Sequence, residues 1–279
     1  MGVRQMAELV KGKATICVVN YKTLELSRLC LRSIRKFSKF PYQVIVVDNA
    51  SGDESLEYLK RLRWIRLIER GTDNDPASDS GGYAHAAALD LGLQNCDTEF
   101  FIAMHSDTIV IRDNWLTDLI GYFGDDASIA CVGSGKIELE PAWRTLLKKA
   151  ADFKTFKRKL FREADPVGKF RYYNRTICCL YRTDILRREN LSFLMDRDKG
   201  LTVGKKLYLE LVDRGYKTVE LPAAVMSQYV VHFAHATQAV NHAEFSVRDK
   251  TMRKCNWFTE KVFSMESLKS ILEDGSLDR

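Results

Sequence analysis

The chain has 279 residues, 46% hydrophobic and 29% charged, with a formal net charge of +6. That length and balance suit one large core or two closely packed lobes and exclude a disordered chain. The moderate positive charge fits phosphate-bearing ligands, an anionic membrane surface or nucleic acid without choosing among them.

In chain order, "ATICVVNY" (14 to 21) is β-rich and apolar, as expected of a strand covered on both faces. "LELSRLCLRSIRKF" follows, with Leu26, Leu29, Cys30 and Ile34 at helical spacing. "YQVIVVDNAS" (42 to 51) reads as a second buried strand ending in a turn, and "ESLEYLKRL" as a helix. This βαβα order predicts a parallel sheet with helices packed on it. "WIRLIER" (64 to 70) predicts a third strand, and "GTDNDPASDSGG" (71 to 82) a polar loop before the helix "YAHAAALDLGLQN". The strand "EFFIAMHSD" comes next.

Further on, "NWLTDLIGYF" predicts a helix, "IACVGSGKIEL" a strand, and "RTICCLYRTDIL" (175 to 186) a strand leading into a helix. A helix stopped by Gly215, then a strand stopped by Pro222, are expected in "VGKKLYLELVDRGYKTVELP". The tail after Asn241 reads as helical, with Ser264 as N-cap and Gly275 as a stop. Residues 144 to 175 interleave bases with Leu and Phe. They read either as an amphipathic surface helix or as a contact for anionic lipid.

The seven cysteines, Cys17, Cys30, Cys96, Cys131, Cys178, Cys179 and Cys255, form no C-x-x-C pair, so buried reduced thiols are expected rather than zinc ribbons or disulfides. No apolar h-region opens the sequence and no run approaches the roughly 20 apolar residues of a membrane span. The expected location is cytoplasmic. No nucleic acid is expected, since no helix-turn-helix, zinc-finger or RNP-like pattern is found.

Open parallel sheets bind ligands beyond the carboxyl ends of their strands, and Asn20, Asp48 and Asp107 are expected at such ends. Asp48, followed by Asn49 and Ser51, reads as an Asx-turn or as a carboxylate for the base or ribose of a nucleotide. Asp107 carries more, because His105 lies two positions earlier and Ser106 and Thr108 add oxygens. Such groups can hold a hard divalent cation on a diphosphate.

Four segments in order, "TICVVNYKTLELSRLCLRSIRKF", "QVIVVDNASGDES", "GGYAHAAALDLGL" and "DTEFFIAMHSDTIVIRDNWL", resemble the nucleotide-sugar half of family 2 glycosyltransferases. The resemblance covers residues 14 to about 125 and continues more weakly to about 240. It implies an α/β fold of GT-A type, a Rossmann-like mixed sheet flanked by helices. The domain would span 14–240, with a nucleotide-sugar lobe at 14–125, an acceptor lobe at 126–240 and a C-terminal helical extension at 241–279.

The resemblance also implies roles. Asn20 and Tyr21, Asp48 and Asn49, Gly81 and Gly82, His85 and Ser106 map to nucleotide binding. Asp107, His105 and His232 map to the metal, Mn2+ or Mg2+, with His235 a weaker choice than His232. His105 departs from the family pattern, which has a carboxylate there, and imidazole suits Mn2+ better than Mg2+. His85 could face the donor or solvent.

Family members place an acidic pair at the start of a helix ending in Gly-Tyr. That slot falls here at Val203-Gly204, without a carboxylate, so Asp198 and then Asp196 are the candidates for the catalytic base. The implied activity is metal-dependent, inverting transfer of a sugar from a UDP-, GDP- or dTDP-sugar to a glycan or lipid-linked acceptor in cell-envelope synthesis. Peripheral contact with the inner membrane face would go with it. A non-catalytic nucleotide-sugar-binding protein is the alternative that the empty slot keeps open.

Overall fold

The computed structural model describes residues 8–71, 81–135, 137, 173–196, 199–233, 236–241, 252, 253, 260 and 264–279. Residues 144–172 of the basic stretch, Asp198, His235 and Cys255 lie outside the described residues.

The first half builds four parallel strands, β1 (Val10–Asn20), β2 (Tyr42–Asp48), β3 (Ile65–Glu69) and β4 (Thr98–His105). Between them run α1 (Leu24–Phe37), α2 (Glu54–Arg61) and α3 (Gly81–Gln94). A short strand β5 (Thr108–Val110) and helix α4 (Trp115–Gly121) lead to β6 (Ile129–Ser134). Then come β7 (Cys178–Arg182), α5 (Thr183–Arg188), α6 (Lys205–Asp213) and β8 (Lys217–Leu221). Helix α7 (Ala223–Met226), β9 (Val230–His232), α8 (Ala236–Val240) and α9 (Glu266–Glu273) complete the order.

Seven strands form one sheet in the order β3-β2-β1-β4-β7-β6-β8, and β5 with β9 forms a separate antiparallel pair. Within the large sheet β7 runs against both of its neighbours, β4 and β6, so the sheet is mixed. The strands of the second half extend the same sheet through the β4–β7 pairing.

Alternation explains the near-continuous apolar strands. On β1, Ile16 and Val18 enter one core with α1, α2, α4 and α9, whereas Cys17 and Val19 enter the other with α3, α5 and α6. Val44 and Val46 of β2 join the first core, Ile45 and Val47 the second. Each fully buried aliphatic side chain contributes roughly 1.5–3 kcal/mol, so the two-faced burial holds the sheet in one register.

The six described cysteines are buried and free, as expected. Burial pushes the Cys178 thiol up to about 12, which keeps it protonated and inert. No described helix is long and apolar enough to cross a membrane.

Two expected boundaries differ. Helix α9 begins at Glu266 with Met265 at its cap and no side-chain bond there, so Ser264 is not the N-cap. The helix ends before Asp274, whose carboxylate accepts from the Ser276 amide at 3.0 Å, and Gly275 opens a 3-10 turn instead of stopping the helix. This local side-chain bond offers the backbone an alternative to continuing the α-helix.

Candidate metal and donor site

Asn20 is the last residue of β1 and is paired in register with Asp48, the last residue of β2. Both are fully buried. The Asn20 amide donates to Asp48 Oδ1 at 2.7 Å, to Ser55 Oγ at 2.9 Å and to Ser51 Oγ at 3.1 Å. Its carbonyl accepts from Ser27 Oγ at 2.7 Å and from Thr23 Oγ1 at 3.1 Å. Asp48 Oδ2 accepts from the Ser51 amide at 2.9 Å, a local side-chain-to-backbone bond three residues on, one residue wider than the expected Asx-turn. The pair therefore forms a closed polar knot that fixes the loops after both strands.

Asn49 turns the other way. Its Oδ1 accepts from Arg70 Nη1 at 3.1 Å and its amide donates to the Ala84 carbonyl at 3.3 Å, so it links β2 to α3. Tyr21 is half-buried, and its carbonyl lies 3.5 Å from the Asn241 amide. Gly81 and Gly82 form the exposed start of α3, and a helix N-terminus favours anions. Ser106 is buried, with its hydroxyl 3.3 Å from that of Thr23.

The strand carrying "EFFIAMHSD" ends at His105. Residues 106 and 107 turn the chain into β5, so Asp107 is delivered by a tight turn and not by the strand itself. Its backbone carbonyl accepts from the Phe233 amide at 2.9 Å, and Thr108 pairs with His232 across β5 and β9. Asp107 and His232, far apart in the chain, are thereby fixed side by side.

The result is a cluster of His105, Asp107 and His232 whose ligand atoms all lie within 4.8 Å of one another. His232 Nε2 is 3.2 Å and His105 Nδ1 3.7 Å from Asp107 Oδ1. The short approach of His232 lacks hydrogen-bond alignment: Asp107 Oδ1 and His232 Nδ1 are buried without a hydrogen-bond partner. Burial by itself would raise the Asp107 carboxyl. The two imidazoles, His232 first, outweigh burial and hold it well below the usual carboxylate range. A buried anion with an unused oxygen, flanked by two imidazoles, fits one divalent cation, because two ligands on one ion can be at most about 4–5 Å apart.

His85 belongs with this cluster. Its ring packs edge-on against His105 with centroids 4.6 Å apart, and its Nε2 is buried without a partner although the residue as a whole is half-buried. Burial, helped by the His105 ring, pushes it down to about 3 and keeps it neutral.

The second half of the chain approaches through two segments. His105 Nε2 lies 3.3 Å from Thr176 Oγ1, just before β7. Thr176 in turn meets Gly204, the residue before α6, where a Cβ would fall 3.3 Å from its methyl and 3.3 Å from the Asn174 carbonyl. Gly204 has φ +76°, a conformation that suits glycine. The Val203-Gly204 slot thus lies one side chain from His105.

Asp196 closes a turn, its carboxylate accepting from the Lys199 amide at 3.1 Å and its carbonyl from the Leu201 amide at 2.8 Å. The Lys199 amide is the main cause of its lowered pKa. The preceding segment is clamped to α3, since Asp90 accepts from Ser192 Oγ at 2.5 Å and from the Phe193 amide at 2.7 Å. Met195 sits within 3.5 Å of where a Gly82 Cβ would be, which brings the turn beside the start of α3.

Arg70 and Thr176 escaped the sequence reading. Arg70 immediately follows β3, its amide bonded to the Asp48 carbonyl at 2.8 Å, so the strand-end reasoning that found Asn20 and Asp48 also reaches it. Nothing in "NRTICC" marks Thr176.

Comparison with known proteins matches residues 15–186, well over half of the chain, to glycosyl transferase family 2. No curated protein matches the chain significantly in sequence. Among solved structures, the chain resembles the mannosyltransferase PcManGT from Pyrobaculum calidifontis in complex with GDP-Man and Mn2+. The TM-score is 0.52 at 15% identity, over 95% of this chain and 73% of that one. TarS 1-349 of S. aureus aligns with a TM-score of 0.49 at 15% identity, over 94% of this chain and 75% of that one. With the seven-stranded mixed sheet the likeness to PcManGT gives the fold, and the family match gives the membership: the chain belongs to glycosyl transferase family 2 and is a glycosyltransferase of GT-A fold.

Proposed function

We propose that the protein transfers a sugar from a nucleoside-diphosphate donor to an acceptor hydroxyl with a divalent cation held by Asp107, His232 and His105. The observation that carries this reading is the cluster of His105, Asp107 and His232, their ligand atoms within 4.8 Å of one another around a buried Asp107 Oδ1 that has no hydrogen-bond partner. When bound, a cation there would neutralise the diphosphate leaving group. Two imidazoles in the set favour Mn2+ over Mg2+. Support for the ligand class comes from the Pyrobaculum enzyme of the same fold, which was solved with GDP-Man and Mn2+.

The chain's own groups divide the remaining work. The Asn20–Asp48 knot holds the loops against which the nucleoside of a UDP-, GDP- or dTDP-sugar rests, with Tyr21 and Asn49 beside it. Gly81, Gly82 and the start of α3 present backbone N–H groups to anionic oxygens of the donor. Ser106 braces the turn that carries Asp107, through its contact with Thr23.

The acceptor proton goes to Asp198 first and Asp196 second, and attack on the face opposite the leaving diphosphate inverts the anomeric carbon. Asp196 is the weaker base because Lys199 stabilises its charged form. A glycan or lipid-linked acceptor of the cell envelope, met at the inner membrane face, completes the reading.

The test is a thermal-shift series with nucleotide sugars, with and without Mn2+, on wild type and Asp107→Ala. A donor that binds the native state raises its melting temperature. The expected result is a shift that needs both donor and Mn2+ in wild type and is absent from the variant. A donor shift of equal size in Asp107→Ala with Mn2+ would overturn the metal assignment.

A further inference from the structure

Away from the donor edge the molecule carries a second concavity, of about 640 Å3, lined by Arg28, Arg32, Tyr58, Arg61, Arg63 and Arg279 together with Leu62 and Asp278. Helix α2 leaves the ligand edge after Asp48 and ends at Arg61, beside the start of β3. Arg61 and Arg63 therefore stand at the opposite edge of the sheet from Asp107. The volume falls within the roughly 300–1,000 Å3 of small-ligand sites.

The charge balance of this cavity is one-sided. Arg32 is almost fully buried, and its guanidinium is spent on Asp278, which also accepts from Tyr58 Oη at 2.8 Å. Arg28 pairs with Glu25 at 2.8 Å and lies over the Tyr58 ring at 5.1 Å. The side chains of Arg61, Arg63 and Arg279 form no ion pair among the described residues, so these three positive charges share the cavity with a single lining carboxylate side chain, Asp278, which Arg32 and Tyr58 already occupy. Like charges gathered in a concavity repel, and an anion relieves that repulsion. Guanidinium forks match phosphate oxygens two at a time. The Arg32–Asp278–Tyr58 contacts fix the floor, and the stacking of Arg28 on Tyr58 orders one wall before any ligand arrives.

We infer that this arginine-lined cavity binds a phosphate-bearing ligand at a site separate from the donor site. Its size suits more than one phosphate, or one phosphate with an attached headgroup. Two sources share that chemistry: a soluble phosphate compound and the headgroup of an anionic phospholipid.

The experiment compares wild type, Arg61→Ala/Arg63→Ala and Asp107→Ala, all in EDTA so that no cation serves the donor site. One arm titrates pyrophosphate by calorimetry. The other sediments the protein with phosphatidylglycerol vesicles, with phosphatidylcholine vesicles as control. Both substituted arginines are exposed, so the double variant should fold as wild type does, checked by its unfolding curve.

The expected result is binding in one arm that Asp107→Ala retains and that Arg61→Ala/Arg63→Ala weakens about tenfold or more, as loss of charge-assisted bonds implies. Pyrophosphate binding identifies a soluble ligand. Binding only to phosphatidylglycerol vesicles identifies a headgroup. Binding in neither arm, or binding that the double variant keeps unchanged, overturns the inference and leaves the donor-site reading untouched.

Discussion

Thr176→Val tests how the metal cluster is held. Thr176 is 5% exposed, and its hydroxyl is the only described partner of His105 Nε2, at 3.3 Å. Donation from Nε2 to that hydroxyl leaves Nδ1 with its lone pair on the side of Asp107, 3.7 Å away. Valine keeps the branched shape that packs against Gly204 and removes only the hydroxyl. Losing such an outer partner typically weakens metal binding about 10- to 100-fold. The bond is at the long end of the useful range, which places the expectation near tenfold, or about 1.4 kcal/mol. The assay is Mn2+ titration of the donor-free protein, with free Mn2+ read by electron paramagnetic resonance and urea unfolding run in parallel. Thr176→Ser should restore wild-type affinity, because it returns the hydroxyl without the methyl. Equal Mn2+ affinity in wild type and Thr176→Val, or a serine variant as weak as valine, would refute the reasoning.

Three further outcomes follow from the packing. Asp278→Ala strips the partner from a nearly buried Arg32; since Asp278 is itself one-quarter exposed, the expected loss is about 2 kcal/mol in urea unfolding, below the roughly 3–5 of a fully buried pair. Burial works to raise the Asp278 carboxyl, but the bonds from Arg32 and Tyr58 outweigh it and lower it. Its stabilisation is therefore present above the unfolded carboxylate value of about 3.9 and lost as pH falls through the lower folded value, so the gap between wild type and variant should hold at neutral pH and close on acidification. Gly92→Ala would set a Cβ 2.3 Å from Cys17 Sγ, in a fully buried spot. A loss of about 1–2 kcal/mol is expected, and it should vanish in a Cys17→Ala background where the sulfur is gone. Asp90→Asn keeps one acceptor for the Phe193 amide but presents an N–H group where the Ser192 hydroxyl now donates, with an expected cost of about 1 kcal/mol and faster proteolysis of the 191–196 segment.

The parallel half of the fold was legible because each strand is buried on both faces and so reads as an unbroken apolar run. Asn20 and Asp48 could be found at strand ends because a polar residue closing such a run has few reasons to be there. Asp107 was legible for the same reason, although the strand stops two residues short of it. What the residues alone hide depends on distant pairing. Only the family resemblance put His232 with Asp107, and the β5–β9 ladder is what brings the two together. His85 is on the second turn of α3, and only the packing of that helix over β1 and β2 brings its ring onto His105. Thr176 has no local signal because its role is set by the antiparallel β4–β7 pairing, which brings the residue before β7 to the end of β4.

The two polar groups at the ligand edge differ in how much hydrogen-bonding capacity is left over. At Asn20–Asp48 the amide and its carbonyl are taken by named partners, and the carboxylate accepts from the amide, from Ser51 Oγ and from the Ser51 backbone. A satisfied buried network costs little and makes its surroundings rigid. At Asp107 the carboxylate and the His232 ring each keep a buried atom without a partner, an arrangement that costs about 1–3 kcal/mol per group if nothing fills it. The first cluster is therefore a brace and the second a socket. On the proposed reading, Asn20 and Asp48 serve the donor by holding the loops after β1 and β2 still, and the unpartnered Asp107 oxygen is the atom left for a cation.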